Sequence, residues 1–118
     1  MKTKNLGKWI FPVTFLVFGI MHLLNADVIG SYIPSWIPGK LFWAYITGLA
    51  QIAFAVSVYS GKYDKSAARL LALMLLIFIV VLHLPNVGQD PTAMGNLLKD
   101  LGLMAGALMY AEGFAKGK

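Results

Sequence analysis

Two histidines, one aspartate, one lysine and one glutamine carry most of the chemistry this chain could do. His22 and His83 lie near the ends of long apolar runs. Lys99 and Asp100 stand side by side inside a third such run, and Gln51 lies inside a fourth. An imidazole next to a carboxylate can hold or pass a proton. Imidazole and ammonium can donate hydrogen bonds to a ligand carbonyl, and two imidazoles at one level could ligate a b-type haem. Cysteine is absent, which excludes disulfides, thiolate chemistry, iron–sulfur clusters and cysteine-ligated zinc. There is no phosphate-binding glycine motif, no HExxH and no nucleophile elbow, so a soluble-enzyme reading fails.

The elements that must position these residues are apolar and long. Of 118 residues, 58% are hydrophobic and 13% charged, and the mean hydropathy is +0.71. A soluble domain has about twice that share of charge. A membrane-crossing helix needs about 20 mainly apolar residues. Four segments qualify: 9–26, 41–60, 67–84 and 92–113, the last interrupted by Lys99 and Asp100. The expected fold is all-α, an integral membrane four-helix bundle filling residues 1–118 as one transmembrane domain. The first span has a basic start, yet Leu24 is a poor residue at −3 from a cleavage after Ala26, so a removed signal peptide is not expected.

The net charge of +5 invites a nucleic-acid reading, but the cations flank the apolar runs. With four spans, Lys2, Lys4, Lys8, Lys62, Lys65, Arg69, Lys116 and Lys118 share one side, against Lys40 on the other. Positive charge marks the cytoplasmic side, so both termini are expected inside, in a bacterial cytoplasmic membrane. Trp9, Tyr59, Tyr63 and Tyr110 suit the inner interface; Tyr32, Trp36 and Trp43 suit the outer one. The outer loop, Asp27 to Lys40, holds Ile33-Pro34 and Ile37-Pro38 around Ser35-Trp36. Proline forbids a regular helix there, and the loop is expected as an interfacial anchor or as a lid over a site.

Rise along a helix sets the depth of each polar residue. His22 lies 14 residues beyond Lys8, and His83 lies 14 beyond Arg69, about 21 Å up at 1.5 Å per residue. Asp100 and Lys99 come out at about 24 to 26 Å, and Gln51 lower, at about 17 Å. His22, His83 and Asp100 thus share a level in the outer half. Lys99 and Asp100 are about 100° apart on a helix and do not share a face. Asp100 needs a partner on another helix, His22 or His83. The purely structural alternatives are an interhelical hydrogen bond for each histidine, snorkelling for Lys99, and helix termination for Asn25 and Asn86.

Span four also carries Gly95, Gly102 and Gly106. Gly102 and Gly106 form a GxxxG, which lets two helix backbones approach. A second stripe on it runs Ala93, Asn96, Asp100, Ala107, Ala111, and span two has Ala44, Gly48, Gln51, Ala55. Such stripes serve packing within the bundle or contact with a second copy. A short repeat relates His22-Leu23-Leu24-Asn25 to His83-Leu84-Pro85-Asn86 at an offset of 61 residues.

Several of these pieces, in their order and spacing, resemble the DoxX-like membrane protein family. They are Gly19-Ile20-Met21-His22, Tyr32-Ile33-Pro34-Ser35-Trp36-Ile37-Pro38, Ala44-Tyr45-Ile46-Thr47-Gly48, Ala68-Arg69-Leu70, His83-Leu84-Pro85-Asn86 and Leu98-Lys99-Asp100-Leu101. The resemblance implies a small four-helix membrane bundle. It implies an accessory subunit of a membrane complex, with a quinone as the candidate cofactor and other membrane proteins, or a second copy, as partners. Some relatives are subunits of quinone-linked oxidoreductases; distant ones assist assembly of membrane proteins, which makes a scaffold without cofactor the alternative. The wider family often has a glutamate where this chain has Gln51, which removes a candidate proton-handling acid. The expected site is His22, His83, Lys99, Asp100, Gln51 and Trp36, with Gly95, Gly102 and Gly106 as packing interface. A b-type haem on His22 and His83 is a lesser alternative, and nucleic acid is not an expected partner. A small multidrug exporter shares only the size; its buried carboxylate in span one has no counterpart here.

Overall fold

The structure is a computed structural model that describes residues 3–118; Lys2 and the side chain of Lys4, both part of the charge argument, lie outside the described residues. No strand occurs among the described residues. Helix α1 runs Thr3–Leu24, starting six residues before the expected span and passing through a buried Pro12. A short helix α2, Ala26–Ser31, takes up the first part of the expected outer loop. No proline occurs before Pro34 in that stretch, so nothing prevents a helical turn there. The two Ile-Pro pairs remain irregular, as their prolines require.

Helix α3, Lys40–Ser60, is bounded by Gly39 and Gly61, both at φ 73°. That left-handed conformation costs glycine little and other residues more. Helix α4 is Asp64–Phe78. It does not end at Phe78 but loosens into a π-helical turn, Ile79–His83, and then a tight 3-10 turn, Leu84–Asn86. Helix α5 is Ala93–Gly113. Its entry is held by Asp90, whose carboxylate accepts the Thr92 N–H at 2.9 Å and the Thr92 hydroxyl at 2.8 Å. Those two bonds hold the Asp90 carboxyl below the usual carboxylate range.

Among the described residues three helices are long and apolar enough to cross a membrane: Asn5–Leu24, Lys40–Ser60 and Asp64–Asn86. Helix α5 has the length, but Lys99 and Asp100 interrupt its apolar run. Large side chains such as Leu24, Leu70 and Met109 stay 77%, 66% and 67% exposed, so the helices keep apolar outer faces uncovered. A soluble monomer seldom leaves such faces to water.

Helix α1 lies along α3 and α4 along α5, with a thinner seam joining α3 to α4. The α1–α3 crossing is closest where Gly19 meets Gly48. A Cβ on Gly19 would stand 2.6 Å from the Gly48 carbonyl oxygen, and one on Gly48 would stand 2.7 Å from the His22 Cβ. Below that crossing the core is aromatic. Phe15 packs edge-on against Phe11 and Phe54, and Phe54 edge-on against Tyr110, with centroids 5.3 to 6.0 Å apart. Such pairs each contribute about 0.5–1.5 kcal/mol beyond the area they bury. Ala68, Leu71, Ala72 and Leu75 of α4 and Ala107 and Ala111 of α5 complete this core.

The two stripes on α5 have different fates. Ala93, Asp100, Ala107 and Ala111 are buried. Gly106 abuts the Phe11 ring, whereas a Cβ on Gly95 or Gly102 would meet nothing within 4 Å. The GxxxG pair is thus split: Gly106 packs inside the chain and Gly102 faces out.

The end of the bundle that carries both termini is tied by polar contacts. Trp9 and Tyr59 stack, and the Tyr59 hydroxyl donates to the Trp9 carbonyl at 2.9 Å. Arg69 pairs with Glu112 at 2.7 Å. Asp64, with no exposed surface, accepts the Tyr110 hydroxyl at 2.6 Å and the N–H groups of Lys116 and Gly117 at 2.9 and 2.7 Å.

Candidate functional site

The polar residues gather at the other end, in two pairs. In the first, the His22 Nδ1 stands 2.7 Å from the Phe18 carbonyl. A carbonyl only accepts, so that nitrogen carries the proton and Nε2 is left as an acceptor. The Gln51 amide nitrogen lies 3.5 Å from Nε2, at the outer limit of a hydrogen bond. The depth arithmetic set Gln51 a few ångströms below His22. The Gly19–Gly48 contact draws the helices together, and the long glutamine side chain reaches across the remainder. Gln51 itself is buried, 3% exposed.

In the second pair, the His83 Nε2–H donates to the Asp100 Oδ2 at 2.8 Å. Asp100 is almost fully enclosed, and His83 is partly buried. A buried carboxylate demands such a partner, and between the two imidazoles this one supplies it. The π-helical turn matters here. A π turn takes more residues per revolution than an α turn, so it shifts the direction in which His83 projects from the end of α4. Such turns occur often at functional sites.

Lys99 joins the pairs. Its Nζ stands 3.5 Å from the Asp100 Oδ1 and 4.9 Å from the centre of the Phe18 ring. Neighbours on a helix point about 100° apart, yet the flexible lysine stem bends back far enough to reach the carboxylate. Phe18 is therefore the joint: its carbonyl takes the His22 proton, and its ring takes the Lys99 charge. The chain Gln51–His22–Phe18–Lys99–Asp100–His83 crosses α3, α1, α5 and the end of α4.

Trp36 does not enter this layer. It stands 74% exposed on the rim of a cleft of about 530 Å³. One wall of the cleft is Tyr32, Ile33 and Pro34 of the proline loop; the other is Val80, Val81, Pro85 and Asn86. The second wall is the same broken stretch that ends in His83 and the 3-10 turn. The amide that would close the next π turn onto the Val80 carbonyl belongs to Pro85, which has no N–H. The π turn therefore does not continue past Ile79–His83. The Asn86 Nδ2 donates to the Leu82 carbonyl at 2.6 Å. Asn25 does the same to the Met21 carbonyl at 3.1 Å. The two halves of the short repeat therefore share their asparagine geometry, while their histidines take different partners.

The imidazoles do not fit a bis-histidine haem as they stand. His22 has both ring nitrogens engaged, and His83 has its Nε2 on Asp100. Among the described residues no group of three or more His, Asp or Glu side chains stands ready to hold a metal ion. Two features escaped the sequence reading. Asp64, next to Lys62 and Lys65, reads as an ordinary helix-start acid. Gly19 reads as one glycine among many, since the chain that crosses it is distant in sequence.

The family described as "Domain of unknown function (DUF8561)" matches residues 11–88, about two-thirds of the chain. The chain belongs to the DUF8561 family. No curated protein and no solved structure matches it. The DUF8561 match spans most of α1 through the 3-10 turn, so it takes in His22, Gln51, His83 and both walls of the cleft. It stops before α5, which brings Lys99 and Asp100.

Proposed function

We propose that this DUF8561 protein is a four-span integral membrane bundle, with both termini cytoplasmic, that acts as an accessory subunit of a membrane complex. In this reading it resembles the DoxX-like proteins and holds the polar ring end of an amphipathic molecule of the quinone and quinol class. The observation that carries it is the break at the end of α4. That break sets His83 against Asp100 on one side and walls the cleft on the other. The cleft volume falls within the usual range for small-molecule sites, about 300–1,000 Å³. Its lining of Tyr32, Pro34, Trp36 and Pro85 suits a flat apolar body. Asp100 holds the His83 ring with Nε2–H inward, which leaves Nδ1 as a hydrogen-bond acceptor. Lys99, half exposed beside Asp100, is a further donor at this end of the bundle. A bound quinone would supply the electron chemistry, and the chain would orient it.

The test is native mass spectrometry of protein extracted in mild detergent from its own membranes. The expected spectrum shows a quinone-sized adduct whose occupancy falls at least tenfold, about 1.4 kcal/mol of binding, in His83→Ala and in Asp100→Asn. A bare chain, or an adduct indifferent to both substitutions, overturns the reading.

A scaffold without cofactor is the second reading, favoured by the outward-facing Gly95 and Gly102 on α5. Small residues there let another helix approach closely. Gly102→Leu should then abolish co-purification of membrane partners while His83→Ala leaves it intact. Loss of partners in His83→Ala alone would count against it.

A further inference from the structure

We infer that the seam between α3 and α4 holds one acyl chain of an anionic phospholipid, whose phosphate is met by Lys62 and Lys116. This rests on the membrane-spanning reading above. The seam is thin, because three of its wall residues are alanines. Ala50 and Ala53 of α3 face Ala67, Leu70 and Met74 of α4 across a recess of about 220 Å³ floored by Phe54. The lining is almost wholly apolar carbon. A recess of about 220 Å³ has room for part of a single hydrocarbon chain and not for a helix about 10 Å across.

The direction of the recess identifies its occupant. Its wall positions recur at helical spacing, and the same face of α3 continues through Ser57 to Gly61, at the α3–α4 turn. A Cβ on Gly61 would stand 3.9 Å from the Lys116 Cδ, so the Lys116 stem lies over the end of that face. Lys62 is exposed in the turn itself. Two further cations of this end are spent or turned away. Arg69 is paired with Glu112, and Lys65 lies on the side of α4 opposite Ala67. The nearest acid, Asp64, is buried and filled by the Tyr110 hydroxyl and backbone N–H groups. Lys62, in the turn, and Lys116, whose stem passes Gly61, thus lie at the turn end of the α3 face that walls the recess. A zwitterionic lipid would bring its own cation into that pair; an anionic one would not.

Protein purified in mild detergent is incubated with equal amounts of phosphatidylglycerol and phosphatidylcholine, and retained lipid is read by native mass spectrometry. The wild-type chain should favour phosphatidylglycerol by roughly thirtyfold, as two lysines near an anionic surface imply. The double substitution Lys62→Gln and Lys116→Gln should remove the preference with helical content unchanged. Ala53→Phe, which fills the recess, should lower retention of both lipids. Equal retention by the wild-type chain, an unchanged preference in the double variant, or unchanged retention in Ala53→Phe would each overturn the inference. Release of the protein from membranes by alkaline carbonate would instead overturn the spanning reading. Protein that stays with the membrane but shows no lipid preference overturns the lipid site alone.

Discussion

Gly19→Ala should destabilise the fold by about 3 kcal/mol, the upper end of the cost of overpacking a close contact. The new Cβ would sit 2.6 Å from the Gly48 carbonyl oxygen and 2.6 Å from the Ile52 Cγ1. Ile52 can turn aside, but the Gly48 oxygen is backbone, and only separation of α1 from α3 relieves it. That separation would also pull His22 away from Gln51, whose amide is already at the limit of reach. Gly48→Ala should behave alike, because its Cβ meets the His22 Cβ at 2.7 Å. The control is Gly102→Ala. Nothing lies within 4 Å of that position, so alanine's better helix propensity should leave it neutral or stabilised by up to about 1 kcal/mol. Reversible unfolding in detergent micelles measures all three. Equal effects at Gly19 and Gly102 would show that the tight α1–α3 crossing is not what holds these helices together.

The contrast between these glycines shows what a single sequence makes legible. The long apolar helices could be read directly, because hydrophobic run length is a local property. The partner of Asp100 could be narrowed to two imidazoles by depth, because rise per residue is fixed. Choosing His83 depended on the π turn at its base, and nothing in Ile79–His83 announces that turn; only Pro85, which denies an amide to its continuation, marks a break there. Glycine roles were less legible still. The GxxxG on α5 is the conspicuous motif, yet only Gly106 of it packs inside the chain. The closest contact uses one glycine from each of two helices, and no spacing rule on either helix marks that pair. Trp36 was grouped with the polar residues through its loop; a loop's direction depends on the short helix before it, and that helix puts the indole on the rim of the cleft.

Asp64 is the second position where a single change should be felt across the molecule. Its carboxylate is the common acceptor for the Tyr110 hydroxyl of α5, the N–H groups of Lys116 and Gly117, and the N–H of Lys65. The last segment of the chain is thereby folded back over the α3–α4 turn, and Ser66 adds a bond to the Lys118 carbonyl at 2.7 Å. Asp64→Ala would leave several enclosed donors without an acceptor, each worth about 1–3 kcal/mol where water cannot replace it. Partial relaxation of the tail should limit the total to about 3 kcal/mol. Tyr110→Phe removes one donor but leaves the backbone N–H groups in place, so it should cost about 1.5–3 kcal/mol, the range for a bond to a charged group. The two variants should also differ in kind. In Asp64→Ala trypsin should cut after Lys116 rapidly, because the tail has lost its anchor. In Tyr110→Phe the tail keeps both of its N–H bonds to Asp64 and should stay protected. A tail that remains protected in Asp64→Ala, together with an unchanged unfolding midpoint, would mean that this buried carboxylate holds nothing in place.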